Sequence, residues 1–182
     1  MELLDIVDEQ GRPTGQVADR ETVHAQGLRH RTSHVWLARR KQGQVELLLQ
    51  KRSPEKDSFP DCYDISSAGH IPAGQDFIPS ALRELQEELG CTAAPEDLLY
   101  CGQRRFTFHE VFHGRPFHDE QVSNVYLLWM DREPEEFVLQ PEEVSQVLWV
   151  PFDQCLTQIG DGTLPNCIYQ EELEMLRKEI ER

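Results

Sequence analysis

The sequence predicts one domain of the α/β (α+β) class. Three features carry this expectation. Runs of alternating apolar and polar residues are separated by short turn-forming segments. One sharply bounded amphipathic helix needs a sheet to cover its apolar stripe. No repeat, low-complexity tract or Ser/Gly linker divides the chain. Its 182 residues, 1–182, suffice for one hydrophobic core and are too few for two independent ones.

Leu3–Val7 and Thr14–Ala18 flank a turn-rich stretch beginning at Asp8 and read as a hairpin. His34–Arg39 and Val45–Lys51 flank Lys41–Gln44 and read as a second. The helix is expected over Asp76–Leu89: Asp76 is an N-cap, Pro79 falls in the first turn, and Gly90 stands where a left-handed C-cap is wanted. Ile78, Leu82, Leu85 and Leu89 form one face, and Glu84, Glu87 and Glu88 are expected opposite it. Strands follow near Leu99–Phe112 and Val122–Met130, with Gly114-Arg115-Pro116 as the turn, and a short one at Val147–Val150. The tail from Ile168 to Arg182 has the pattern of a charged amphipathic helix.

Composition excludes several functions. A formal net charge of -15 argues against sequence-independent nucleic-acid binding, which needs a basic surface to displace counterions. No apolar run approaches the roughly 18 residues of a membrane span, so no membrane partner is expected. The N-terminus lacks a signal-peptide pattern, which predicts a cytoplasmic location. The five cysteines form no C-x-x-C pair and read as reduced packing residues.

Chemistry is suggested by Glu84, Glu87 and Glu88. At i, i+3 and i+4 on a helix these like charges repel, and a hard divalent cation would compensate them. A solvated acidic face is the alternative for a bare E-x-x-E-E. The wider spacing decides between them: Gly69, then Gln75 six residues on, then Arg83-Glu84-Leu85-Gln86-Glu87-Glu88-Leu89-Gly90-Cys91. This resembles the Nudix box, in which Gly, five residues, Glu and seven residues precede R-E-U-x-E-E-x-G-U, with U apolar. Residues 69–91 match every defining position except Gln75, where the family has Glu. The stretch from Val144 to Leu156, with Trp149-Val150-Pro151, also looks like the segment that closes Nudix domains.

The resemblance implies a mixed β-sheet sandwiched between helices and a hydrolase that cleaves a diphosphate linkage in a nucleoside or other organic diphosphate. It implies Mg2+ or Mn2+ as cofactor, Glu84 and Glu88 as metal ligands, and Gly69 as the residue whose carbonyl approaches the metal. Glu87 would be a further ligand or a base, Arg83 would orient a motif carboxylate, and a homodimer is a family-level expectation.

Within the superfamily, Leu48–Lys56 and Asp64–His70, with Trp36 upstream, look like the isopentenyl diphosphate isomerase branch. That likeness implies that Arg52, Lys56 and His70 serve the substrate, and His24 and His30 echo the isomerases' metal-binding positions. The isomerases, however, carry a catalytic Cys and Glu where this sequence has Ala68 and Gln121, so the acids needed for an allylic proton shift are missing. A non-catalytic Nudix-fold binding module is the third reading; retention of Arg83, Glu84, Glu87 and Glu88 speaks against it. Trp36, Phe59, Phe106, Phe108 and Phe112 suit either base stacking or a core.

Overall fold

A hairpin of β1 (Leu3–Val7) and β2 (Pro13–Asp19) leads into the short helix α1 (Arg20–Gln26) in a computed structural model that describes residues 1–182. Asp19 caps α1 by accepting the Thr22 N–H, and Gly27 ends it in the left-handed conformation at φ 66°. Strand β3 (Arg29–Lys41) then runs through the middle of the molecule, buried at every residue from His30 to Arg39. β4 (Gln44–Arg52), β5 (Tyr63–Asp64), β6 (Ser67–His70) and helix α2 (Phe77–Leu89) follow. The second half comprises the long hairpin β7 (Leu99–Phe112) and β8 (Arg115–Trp129), strand β9 (Val144–Pro151), and helices α3 (Phe152–Gly160) and α4 (Gln170–Ile180).

β3 to β9 form one mixed sheet in which β3 and β8 pair in parallel and the other neighbours pair antiparallel. Strand alternation sends Val35 and Leu37 to one face and Trp36 and Ala38 to the other. Ala81, Leu85 and Leu89 of α2 pack on the first face with Leu48. Phe152, Cys155 and Ile159 of α3, with Leu173 and Leu176 of α4, pack on the second with Leu47 and Leu49. The result is the expected sheet between helical layers. All five cysteines are free, and no helix is long and apolar enough to cross a membrane.

The sheet forks. β3 and β4 pair only from Ala38 to Lys41 against Gln44 to Leu47. Beyond that they diverge: Thr32–Val35 takes β6 as its neighbour, and Gln50–Lys51 takes β5. Ser66 sits at the apex between β5 and β6. Its Oγ accepts the Leu37 N–H at 2.8 Å and donates to the Leu48 carbonyl at 2.5 Å, joining the two parting strands. The Gln50 amide donates to the Ser66 carbonyl at 3.0 Å. Backbone groups that the split would orphan in the core are thereby satisfied.

Several expectations need correction. β3 begins at Arg29 rather than His34, because His30, Arg31, Thr32 and Ser33 are polar yet buried. β8 begins at Arg115 rather than Val122. The turn is His113-Gly114, both left-handed at φ 51° and 74°, as a two-residue hairpin loop requires. Pro116 pairs with Val111 where β8 has no second neighbour, so its missing N–H leaves no ladder bond unmade. On α2 the carboxylates do not share an outer face. Glu88 is 6% exposed and borders the Ala81–Leu85 stripe, whereas Glu87 is half-exposed at the cavity rim. α1, β5, β6 and α3 were not expected, being short or bounded by polar residues.

Replacing Ser66 by Ala leaves the Leu37 N–H and the Leu48 carbonyl without partners at a fully buried position. Chemical denaturation should show a loss of about 1–3 kcal/mol, the cost of unsatisfied buried groups. An unchanged midpoint would mean that the fork does not depend on this hydroxyl.

Candidate active site

The fork opens a cavity of about 350 Å3 that receives residues from both helical layers. From α2 come Glu84, Glu87 and Glu88. From the sheet come Thr32 and His34 of β3, Ala68, Gly69 and His70 of β6, Arg104 of β7, and Asp119 and Gln121 of β8; α4 adds Glu172.

Gly69 and Glu84 touch so closely that a Cβ on Gly69 would collide with Glu84 Cδ and Cγ. The glycine therefore lets the α2 carboxylate lie directly on the β6 backbone. Arg83 donates from Nη2 to Glu84 Oε1 at 2.7 Å, and its Nε is 3.8 Å from Glu87. Glu88 accepts from Gln50 Nε2 at 3.0 Å, so the amide that braces the fork also holds this carboxylate. Burial, followed by the charge of Glu84, pushes the Glu88 carboxyl up to about 8. Burial also raises Glu84, against the lowering effect of Arg83. A buried carboxylate beside a partly buried one would gain from a shared cation, and their hard oxygen donors suit magnesium or manganese.

The two basic residues expected at the substrate separate. Lys56 lines the cavity and is ion-paired with Glu143. Arg52 does not line it: Nη1 bonds Asp64 at 3.0 Å, and Nε and Nη2 donate to the Ser58 carbonyl. It braces the loop between β4 and β5. Gln75 is exposed and outside the cavity, and its backbone carbonyl accepts from Arg31 at 2.9 Å.

His70 meets His24 of α1 and His30 of β3 in a triangle with ring centroids 5.2–5.3 Å apart. Nitrogen atoms of the three lie within 4.8 Å of one another, a spacing that could hold a metal ion. His30 Nδ1 lies 3.0 Å from the Leu28 carbonyl, which can only accept, so Nδ1 carries the hydrogen and Nε2 presents a lone pair. That lone pair faces Asp119 Oδ1 at 3.4 Å, and His24 Nε2 faces the same oxygen at 3.7 Å. All three atoms are buried without a hydrogen-bond partner. Burial, then the charge of His30, lowers His24 to about 3, and burial is also the main cause that lowers His30 and His70. Three neutral imidazoles and a carboxylate converge where a cation would satisfy all of them.

Sequence reasoning did not single out Glu143, Arg104, His34 or Glu172. Glu172 is 1% exposed and accepts from His34, Trp36 and Arg104, although the tail helix pattern assigns its charges to the outer face. A signal did exist in the placement of Glu172 next to Leu173 and three residues before Met175–Leu176, on the apolar side of the helix. Ala68 and Gln121 both line the cavity, and an isomerase reading gains no support from them because neither side chain is an acid.

Eight carboxylates line the cavity (Glu2, Asp64, Glu84, Glu87, Glu88, Asp119, Glu143 and Glu172) against three permanent cations, Arg20, Lys56 and Arg104.

Comparison with known proteins bears on the family and the fold. The chain is 37% identical over 153 residues to an uncharacterized Nudix hydrolase of Clostridium acetobutylicum, covering 84% of this chain and 71% of that protein. It is 41% identical over 157 residues to Nudix hydrolase 3 of Arabidopsis thaliana, of which the match spans only 20%. Among solved structures, the DR0079 protein of Deinococcus radiodurans superimposes with a TM-score of 0.67 at 22% identity, covering 97% of this chain and 98% of that one. That likeness bears on the fold alone. Residues 28–167 match the NUDIX domain family. With this match and these relatives, the chain belongs to the Nudix hydrolase family and is a hydrolase.

Proposed function

We propose that this protein is a divalent-cation-dependent hydrolase that cleaves the diphosphate linkage of one small organic or nucleoside diphosphate. The observation that carries this reading is the excess of carboxylates over permanent cations in the cavity. A diphosphate cannot enter such a field unless divalent cations accompany it. The volume of about 350 Å3 lies near the lower end of ligand pockets, roughly 300–1,000 Å3, which favours a single compact diphosphate. The net charge of -15 weighs against a nucleic-acid substrate.

Glu84 and Glu88 would hold Mg2+ or Mn2+, with the Gly69 carbonyl alongside and Glu87 as a further ligand or a base. A bound divalent cation would offset the negative charge that builds at phosphorus and make water a better nucleophile. Arg83 fixes the Glu84 carboxylate in place. Lys56 would turn from Glu143 to the diphosphate oxygens. His70, with His24, His30 and Asp119, would hold a second cation, so its service to substrate is indirect.

Glu88→Gln should lower kcat by about 10²-fold or more, the effect of removing one preorganised electrostatic group. Its melting temperature without added cation should match or exceed that of the wild type, because Gln removes the cost of burying a carboxyl that burial and Glu84 push up to about 8. Full turnover in folded Glu88→Gln would end the metal-platform reading. Gln75→Glu should leave kcat within about twofold, since this side chain lies outside the cavity.

Lys56→Ala should raise KM for every accepted substrate while preserving the fold. Arg52→Ala should instead lower stability, by roughly 3 kcal/mol, because partly buried Asp64 loses its partner. Urea melts beside steady-state kinetics separate the two, and a pure KM effect in Arg52→Ala would contradict the assignment. Titration with Mn2+ should find two equivalents bound to the wild type and one to His24→Ala. Equal stoichiometry would remove the histidine triangle from the metal account.

A further inference from the structure

His34 lies on the cavity floor and has no part in the mechanism above. Its Nδ1 is 2.5 Å from Glu172 Oε1, and Glu172 also accepts from Trp36 Nε1 at 2.9 Å and from Arg104 Nη1 at 3.2 Å. Burial would raise this carboxyl, yet His34, Trp36 and Arg104 together hold it below its ordinary range, so it is ionised. A carboxylate only accepts, so Nδ1 carries a hydrogen, and in the neutral ring the proton-accepting nitrogen is Nε2. Nε2 is 3.2 Å from the Thr32 hydroxyl, which lines the cavity and also lies 3.1 Å from Gln121 Oε1 and 2.6 Å from Ser123 Oγ, so its one hydrogen has acceptors other than Nε2. Directly opposite His34 on β6 stands Ala68, whose methyl group leaves the space beside the ring open.

Hydrolysis must remove a proton from the attacking water, and most acids around the cavity are already engaged. Glu2 lies by Arg20, Asp64 is held by Arg52, and Glu143 by Lys56. Glu84 and Glu88 are committed to the cation, and Asp119 to the histidine triangle. There remain Glu87, which is 54% exposed at the cavity rim, and His34. Arg104 already balances the charge of Glu172, so neutralising that carboxylate does not require the imidazole.

We propose that His34 is a catalytic residue of this hydrolysis and that Glu172 is its positioning residue. This rests on the hydrolase reading above. As the water oxygen bonds to phosphorus, Nε2 takes one water proton. The bridging P–O bond breaks and its electron pair leaves on the departing phosphate. Glu172 balances the imidazolium, which then gives its proton to solvent. The geometry is that of a histidine held in one tautomer by a carboxylate behind it. Glu87 is left to the cation.

The test uses the full chain with Mg2+ and three probes: ADP, ADP-ribose and isopentenyl diphosphate, with products followed by phosphorus NMR. His34→Gln keeps a donor for Glu172 and removes the proton acceptor. It should lower kcat by about 10²-fold or more, the usual contribution of a general base, with KM within about threefold and an unchanged melting temperature. Imidazole added to His34→Gly should restore part of the lost rate, which a packing role would not produce. Near-normal kcat in folded His34→Gln, or a base-sized loss confined to Glu87→Gln, overturns the assignment and leaves the hydrolase reading standing. A wild type that binds Mg2+ and cleaves none of the probes overturns both. If the variants do not fold, nitrogen-15 NMR of the wild-type imidazole decides: Nε2 without hydrogen at pH 8 supports the role, and a doubly protonated ring excludes it.

Discussion

Two strands that begin as a hairpin ordinarily stay paired, because each backbone group left behind in the core must find another partner. β3 and β4 part after Leu47, and Ser66 together with Gln50 makes the separation affordable by bonding across it. The cavity, the reach of α2 to the far side of the sheet and the position of β6 all follow from this fork. Without it Glu88 would face a closed sheet, and His34 would lie on the other side of that sheet. Gln50 links the two consequences directly, since one amide group holds both the fork and the Glu88 carboxylate.

Charge is distributed so that the protein's few cations are largely spent on structure. Arg31 pairs with Asp5, Arg39 with Glu46 and Arg52 with Asp64, each with limited exposure. The cavity keeps an acidic excess, with Glu88 buried beside Glu84 at a cost to the folded state. Such a local conflict between stability and sequence is characteristic of functional sites. Under the proposed function, divalent cations would resolve it, coupling substrate charge, metal and fold in one place.

The C-terminal helix contributes more than a cover for the sheet. Leu173 and Leu176 bury its apolar side, and between the sheet and that side Glu172 gathers His34, Trp36 and Arg104. Arg104 also lies over the rings of Phe106 and Tyr169, so the floor of the cavity is a packed and hydrogen-bonded layer. The tail therefore sets the orientation of residues more than 60 positions away in the chain.

The sequence by itself determined what is local. The caps of α2 at Asp76 and Gly90, the first hairpin, the extent of β7 and the spacing of residues 69–91 are all legible, because each depends on short-range geometry or on one unbroken motif. The helical period even places Glu84 and Glu88 together. Tertiary structure alone decided which side of α2 is buried, that Arg52 serves a loop while Lys56 faces the cavity, and that Glu172 turns inward. It also extended β3 through His30–Ser33, where polar residues conceal a central strand. The reason is common to these cases: a charged or polar side chain reads as solvated until the fold supplies its partner, and those partners lie at separations that no local pattern records.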